Sequence, residues 1–123
     1  LHGDEEPSLV TELNFTTWKA VHLDRMGAAA AAAYPVSAYL VDHYTAESPG
    51  GTGKPCDWQE ARTFIAAAEK PVLLAGGLNS ENIGEAVEKT APWGVDVCSG
   101  VEAEPGCKDL NKVKTFIERC RSL

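Results

Sequence analysis

Positive charge is scarce in this sequence. Lysine and arginine together number 11, against 18 aspartates and glutamates, so the formal net charge is −7. Binding to nucleic acid or to an anionic membrane surface requires clustered lysine and arginine, and this balance argues against both. A small anionic ligand remains compatible with it, because backbone N–H groups can bind such a ligand locally.

Long apolar segments are also lacking. No run approaches the roughly 20 apolar residues of a membrane-spanning helix. Residues 1–6, LHGDEE, are acidic and contain no apolar stretch of the kind found in a signal peptide. We therefore predict a cytoplasmic protein with no membrane partner.

The usual signatures of metal binding and of disulfides are missing too. The four cysteines include no Cys-x-x-Cys pair, and no histidine lies at zinc-finger spacing from them. The three histidines, His2, His22 and His43, form no cluster with metal-ligand spacing. We predict reduced thiols and no metal site.

A regular alternation of strand and helix patterns runs through all 123 residues, which predicts a single domain, 1–123. Residues 1–3 resemble the end of a strand. Further strands are predicted at 18–23, 36–41, 72–75 and 95–98, and helices at 8–14, 28–33, 58–69, from 79 or 80 onwards, and 109–120. Alternation with short connections predicts an α/β fold with a parallel sheet, of the (β/α)-barrel type.

The central stretch, residues 38–58, has the most informative pattern. An apolar strand ends on the carboxylate of Asp42, a loop follows with the sequence GGTGK at 50–54, and a helix begins near Trp58. α/β enzymes place an acid at the carboxyl end of a strand and a glycine-rich loop before a helix when they build a site. A lone aspartate is usually structural, but its position beside this loop favours a catalytic role for Asp42.

Three glycine-bearing turns follow predicted strands and precede predicted helices. They contain Gly51 and Gly53, then Gly76 and Gly77, and finally Ser99 and Gly100. Glycines end strands in many proteins, so each turn alone is weak. Three at equivalent positions predict a phosphate site at the carboxyl-terminal face of a barrel, where backbone N–H groups contact the anion.

Other polar residues have weaker signals. His2, at a strand end, is a candidate substrate contact, whereas His22 and His43 are expected to be satisfied by hydrogen bonds. Asp96 lies within a predicted strand and is interpreted as structural, because a buried carboxylate needs a partner. No histidine is placed to activate Cys98, so we interpret it as a packing residue.

Several spaced motifs resemble the phosphoribosylanthranilate isomerase family, and the resemblance covers nearly the whole chain. LHG at 1–3 is similar to the family's Q-L-H-G, LVD at 40–42 to L-L-D, and GGTGK at 50–54 with DW at 57–58 to G-G-T-G-x-x-F-D-W. LAGGLNSEN at 74–82 is similar to L-A-G-G-L-x-x-x-N, and residues 95–109 to D-x-S-S-G-V-E-x-x-P-G-x-K-D. The departures are Cys98, where serine is usual, and Cys56, where phenylalanine is usual.

This resemblance implies a (β/α)8 TIM barrel that performs an Amadori rearrangement in tryptophan biosynthesis without metal or organic cofactor. The substrate is the phosphorylated aminoaldose N-(5-phosphoribosyl)anthranilate. Asp42 matches the family's general acid. Backbone N–H groups at Gly53, Gly77, Ser99 and Gly100 match its phosphate site.

The resemblance also implies that this chain corresponds to only part of the family's barrel. The family's general base is a cysteine in a C-G-x-T motif of the first strand, and none of Cys56, Cys98, Cys107 and Cys120 has that context. The family's arginine after strand two is not matched either. We therefore expect strands five to eight with the tip of strand four, a chain that is inactive or nearly so by itself, and a complementing N-terminal half as partner.

Two alternatives stay open on the sequence alone. The chain could be a non-catalytic half barrel that binds a sugar phosphate or assembles with itself, for example as a homodimer that covers exposed sheet edges. It could also be another phosphate-binding barrel enzyme, such as an isomerase of histidine synthesis, although the motifs at 50–58 and 99–109 argue against this.

Overall fold

The computed structural model describes residues 1–42 and 58–123. The helices are α1 (Pro7–Glu12), α2 (Ala28–Ala31), α3 (Trp58–Ala67), α4 (Ile83–Thr90) and α5 (Leu110–Arg121). The strands are β1 (Trp18–His22), β2 (Ala38–Asp42), β3 (Val72–Leu74), β4 (Gly94–Val95), β5 (Glu102–Glu104) and β6 (Cys107–Lys108), and a 3₁₀ turn spans Ser99–Val101.

Strands β1 to β4 form a parallel sheet in which each strand lies beside the next one in sequence. The order does not reverse, as it would in a doubly wound sheet, and sequential order is the arrangement found in barrels. The α/β fold with a parallel sheet, predicted from the alternating pattern, is confirmed.

The first residue extends this sheet beyond β1. The Leu1 nitrogen donates to the Trp18 carbonyl at 2.8 Å, and the Leu1 carbonyl accepts from the Ala20 N–H at 2.8 Å. These two bonds are those of a parallel neighbour. Residues 1–3 therefore run beside β1 as the end of a strand would, although they are too few to form a strand of their own.

The two faces of the sheet differ in what covers them. Tyr39 and Val41 are buried against the helices, and the Tyr39 ring meets Phe64 edge-on with centroids 5.7 Å apart. Because successive side chains of a strand point to opposite faces, Leu40 and Asp42 lie on the other face. The side chain of Asp42 is thereby directed away from the helices.

Apolar residues at helical spacing are buried in α3 and α4, but only in part in α5. Ala61 and Phe64 of α3 are buried, and so are Ile83 and Ala86 of α4. In α5, Phe116 is buried, but Leu110 is 81% exposed and Ile117 is 43% exposed. Helical periodicity identifies the apolar face of α5 correctly but does not tell whether a neighbour covers it.

A cavity of about 550 Å³ lies between α5 and the edge of the sheet. Its lining includes Val95 and Asp96 beside β4, and Val113, Phe116 and Ile117 of α5. Among the described residues, β4 pairs with β3 alone. The least covered part of the apolar core is therefore at the β4 edge.

Two expectations about local structure are wrong, and one element was missed. Helix α1 spans Pro7–Glu12 rather than 8–14, and it begins at Pro7 because proline lacks the N–H that a first helical turn leaves unpaired. Strand β4 is shorter than predicted, so Asp96 lies beyond it and is exposed rather than buried. The β5–β6 hairpin, which turns at Gly106 with φ +82°, was not predicted.

Among residues 1–42 and 58–123, no helix has the length and apolar character needed to cross a membrane.

Candidate active site

The carboxyl-terminal ends of the four parallel strands lie level with one another. His22 and Asp42 are register partners on β1 and β2, and Leu74 pairs with both Val41 and Val95. The ladder continues one residue further, since the N–H groups of Ala75 and Asp96 donate to Val41 and Leu74 at 2.8 Å. His22, Asp42, Ala75 and Asp96 therefore form a row across the carboxyl-terminal ends of the four strands. Asp42 is half-buried in this row.

His2 lies beside β1, and its ring reaches His22 at the β1 end of this row. The pairing of Leu1 places His2 beside Ala20, and its ring lies edge-on to His22 with centroids 5.4 Å apart. His2 is exposed. It is therefore available for the substrate contact predicted for it.

Two glycines shape the loop after β3. Gly76 has φ +85° and Gly77 has φ +66°, values that side-chain-bearing residues rarely adopt. Asn82 Nδ2 donates to the Gly77 carbonyl at 2.9 Å, and Asn82 Oδ1 accepts from the Asn79 N–H at 2.9 Å. The Asn82 side chain thus connects the Gly76–Gly77 loop with the start of α4.

Helix α4 begins at Ile83, with Asn82 at its N-cap, so the prediction that it begins at 79 or 80 is wrong, and Asn79 instead caps the turn that leads into it. Asn79 Oδ1 accepts from the N–H groups of Glu81 at 2.8 Å and Asn82 at 3.1 Å. The Asn79 carbonyl accepts from the N–H of Ile83 at 3.1 Å. Short polar side chains favour such positions because they satisfy N–H groups that the helix leaves unpaired.

The loops after β3 and β4 touch each other at Gly100. A Cβ atom placed on Gly100 would lie 1.8 Å from the Leu78 carbonyl oxygen and 3.0 Å from the Asn79 Cβ. No residue but glycine fits that space. The close approach brings the exposed Ser99, which begins the 3₁₀ turn, beside the Gly76–Gly77 loop.

A polar network holds the chain on either side of the 3₁₀ turn. Lys108 Nζ donates to Glu102 Oε1 at 2.7 Å and to the Cys98 carbonyl at 2.8 Å. The hydrogen bond from Lys108 holds the pKa of Glu102 below its usual value, and Glu102 in turn raises the pKa of Lys108. Lys112 Nζ also donates to the Glu102 carbonyl at 2.7 Å.

Cys98 belongs to this network, and its interpretation as a packing residue is wrong. The side chain is exposed, and its Sγ lies 3.5 Å from Lys108 Nζ and 3.8 Å from Glu102 Oε1. Cys98 lies beyond the short strand β4, immediately before the 3₁₀ turn, so its side chain faces the solvent instead of the core.

Several predicted residues cannot be placed. Gly51, Gly53, His43 and Cys56 lie outside the described residues, and so does the start of the loop that Asp42 leads into. The other predicted site residues all lie at the carboxyl-terminal end of the sheet. They are His2, Asp42, Gly76, Gly77, Ser99 and Gly100. In the described part of the chain, no three His, Cys, Asp or Glu side chains are grouped so as to hold a metal ion.

Sequence reasoning missed the residues that fix the site loops. Asn82 lies within a motif that was singled out, yet no role was given to its side chain. The contact between Leu78 and Gly100 joins positions that no local pattern connects. A glycine next to a predicted strand end was the available signal for it.

A sheet in sequential parallel order, with an acid and glycine-bearing loops at its carboxyl-terminal edge, defines the (β/α)-barrel class of protein. Residues 1–119 match the family described as N-(5'-phosphoribosyl)anthranilate (PRA) isomerase. The chain therefore belongs to the N-(5'-phosphoribosyl)anthranilate isomerase family. The match selects this family over an isomerase of histidine synthesis.

Relatives and solved structures agree with this assignment. The N-(5'-phosphoribosyl)anthranilate isomerase of Geobacter sp. (strain M21) is 43% identical over 124 residues, which are 100% of this chain and 60% of that protein. The crystal structure of phosphoribosyl anthranilate isomerase from Thermotoga maritima matches with a TM-score of 0.81 at 35% identity, over 99% of this chain and 60% of that one.

A further structure was solved with a ligand. It is a phosphoribosyl anthranilate isomerase in complex with reduced 1-(o-carboxyphenylamino)-1-deoxyribulose 5-phosphate, with a TM-score of 0.76 and 29% identity over 99% of this chain and 58% of that one. This chain thus spans about 60% of the length of the relatives that it matches.

Proposed function

We propose that this chain supplies the general acid and the phosphate site of a phosphoribosylanthranilate isomerase. The proposal is based on the position of three features at the carboxyl-terminal ends of the strands. The Gly76–Gly77 loop and the Ser99–Gly100 turn contact each other there, and Asp42 lies at the same end of the sheet. The ligand of the solved family member is a sugar phosphate of the reaction's product type.

The phosphate of the substrate binds at the contact between the two loops. Backbone N–H groups of Gly77, Ser99 and Gly100 contact its oxygens. Gly51 and Gly53, which lie outside the described residues, are proposed to contribute to the same site. Such N–H groups stabilise an anion without a positively charged side chain, which fits a protein with a formal net charge of −7.

Asp42 then acts at the sugar ring. Its carboxyl donates a proton to the ring oxygen of N-(5-phosphoribosyl)anthranilate, and the furanose opens to an imine. A general base removes the proton from C2, and the resulting enamine tautomerises to the aminoketose 1-(o-carboxyphenylamino)-1-deoxyribulose 5-phosphate. The half-buried position of Asp42 on the face away from the helices suits this role.

The base is proposed to come from a segment beyond these 123 residues. No cysteine of the chain lies in a C-G-x-T context, and the chain spans about 60% of its relatives. We propose that residues 1–123 form strands five to eight of the barrel as one domain, that the isolated chain is inactive, and that the working enzyme is cytoplasmic.

The direct test is complementation. The chain is mixed with a polypeptide that carries the remaining strands of a family member, and turnover of N-(5-phosphoribosyl)anthranilate is followed by fluorescence. We expect activity from the mixture and none from either part. A mixture that assembles into a folded complex but does not turn over the substrate would contradict the proposal.

A second candidate function is self-assembly as a half barrel, which the exposed edge of β4 favours. The cavity of about 550 Å³ and the 43% exposed Ile117 leave apolar surface there. Light scattering after size exclusion tests it, because a folded chain that stays monomeric at high concentration excludes this alternative.

A further inference from the structure

Lys19 is an unusual residue for the middle of a strand, because its side chain is only 2% exposed. It lies on the helix-facing side of β1, where its Nζ is 5.2 Å from the centre of the Tyr34 ring. Burying an ammonium group is costly unless partners compensate for the lost water. The proposed isomerase mechanism makes no use of Lys19, so its burial needs a separate explanation.

Its partners belong to the segment that carries His2. Lys19 Nζ donates to the Gly3 carbonyl and forms an ion pair with Glu5 Oε2 at 3.1 Å. Glu5 in turn accepts from the backbone N–H groups of His2 at 3.1 Å and of Gly3 at 3.0 Å. The two side chains therefore hold the backbone at His2 and Gly3 through both its N–H and its carbonyl groups.

Glu5 is ionised at neutral pH. The N–H of Gly3 and then the Lys19 ammonium, with further backbone bonds, lower its pKa to about 2. The contact to the His2 backbone is therefore a charge-assisted hydrogen bond at neutral pH, of the stronger kind.

This arrangement determines where the His2 ring lies. The Leu1 backbone fixes the alignment with β1, and the Glu5–Lys19 pair fixes the turn that follows. Between these two anchors, the His2 ring lies edge-on to His22, with ring centroids 5.4 Å apart. The His2 ring is therefore at the β1 end of the site, whereas the loops after β3 and β4 form its other end.

We propose that Glu5 and Lys19 are positioning residues, which hold the His2 imidazole where it contacts the end of the substrate remote from the phosphate. The inference rests on the proposed function, since it takes His2 as a substrate contact. Neither side chain touches the substrate. Their effect on substrate binding passes through His2.

The test is a double-mutant cycle in the whole isomerase that contains this chain. Glu5→Gln keeps the size of the side chain and removes its charge, and His2→Ala removes the imidazole. We expect each single variant to raise KM about tenfold, the effect of losing one good hydrogen bond, with kcat within about twofold. In the His2→Ala background, Glu5→Gln should raise KM no further.

Two controls separate positioning from general loss of stability. Glu6→Gln changes the neighbouring, exposed carboxylate and should leave KM unchanged. Thr90→Ala removes a buried hydroxyl that donates to Ala86 at 2.7 Å on α4, so it destabilises the fold far from His2 and should also leave KM unchanged. The inference is wrong if Thr90→Ala raises KM. It is also wrong if Glu5→Gln raises KM by the same factor in the parent enzyme and in the His2→Ala variant.

The outcome also distinguishes this inference from the proposed function. If the parent enzyme turns over N-(5-phosphoribosyl)anthranilate but His2→Ala leaves KM unchanged, the positioning role is wrong and the isomerase function stands. If the parent enzyme has no such activity, the proposed function fails. Nuclear magnetic resonance of the His2 imidazole tests separately whether Glu5 determines the position of the ring. If the His2 signals do not change in Glu5→Gln, the positioning role is wrong.

Discussion

The two ends of the candidate site are fixed by different means. At the β3–β4 end, the loops are held by backbone conformation and close packing: positive φ angles at Gly76 and Gly77, and a Leu78 carbonyl against Gly100. At the β1 end, the segment with His2 is held by the charges of Glu5 and Lys19. The stability of the β3–β4 end should therefore depend on side-chain size, and the stability of the β1 end should depend on charge and pH.

The largest effect is expected for Gly100→Ala. The added Cβ would lie 1.8 Å from the Leu78 carbonyl oxygen, so backbone must move. We expect the free energy of unfolding to fall by about 3 kcal/mol or more, as for severe overpacking, and phosphate affinity to be lost. Urea unfolding and calorimetric titration with inorganic phosphate measure the two effects.

Gly84→Ala is the matched control for that substitution. Gly84 lies in α4, and its added Cβ would meet only Leu123 Cδ2, at 3.9 Å. Alanine is the better helix former, so stability should stay the same or rise by up to about 1 kcal/mol. If Gly100→Ala and Gly84→Ala lower the free energy of unfolding equally, the contact between Gly100 and Leu78 does not account for the loss.

Lys19→Met should have the next largest effect. Methionine fills similar space but leaves Glu5 and the Gly3 carbonyl without the ammonium partner, and we expect a loss of about 2 kcal/mol in the free energy of unfolding. Lys114→Met is the control, because Lys114 is 75% exposed and lies 3.9 Å from Glu118. An exposed pair of this kind contributes about 0.5 kcal/mol or less.

Acid should weaken the β1 end selectively. The pKa of Glu5 is lowered from 4.5 to about 2, so the stabilisation by its carboxylate is complete above pH 4.5 and disappears as the pH falls toward 2. The difference in the free energy of unfolding between the parent protein and Glu5→Gln should shrink over this interval. A difference that does not change with pH would exclude the carboxylate as its cause.

The smallest effect is expected for Lys108→Met. Lys108 connects Glu102 with the Cys98 carbonyl just before Ser99, but its side chain is 42% exposed and the pair is screened by salt. We expect affinity for inorganic phosphate to fall about threefold, since the exposed hydrogen bonds of Lys108 to Glu102 and to the Cys98 carbonyl are lost. Lys89→Met removes the 56% exposed partner of Glu85 on α4 and should not change phosphate affinity.

The sequence predicts the framework of this fold because local patterns determine it. Apolar strands followed by glycine and helical stripes predict the parallel sheet and the loops at one edge, and Asp42, Gly76, Gly77, Ser99 and Gly100 lie there. The bounds of β4 are less well predicted, because a strand of two residues has no periodicity to detect.

The contacts that fix the site are the part that the sequence does not predict. A lysine within a strand is usually exposed, and Lys19 is buried only because Glu5 is 14 residues away in sequence but adjacent in space. The Gly100 contact with Leu78 is likewise non-local. Local propensity carries no information about such pairs, so they become visible only in three dimensions.

The central claim is that Asp42 is the general acid of an isomerase whose phosphate site is built separately by the loops after β3 and β4. It is tested most directly by Asp42→Asn in the complemented enzyme, in which this chain is combined with the remaining strands of a family member. The account predicts that kcat falls by about 10²-fold or more, the usual contribution of a general acid, while the Kd for inorganic phosphate stays the same. Undiminished turnover in a folded Asp42→Asn enzyme would contradict it.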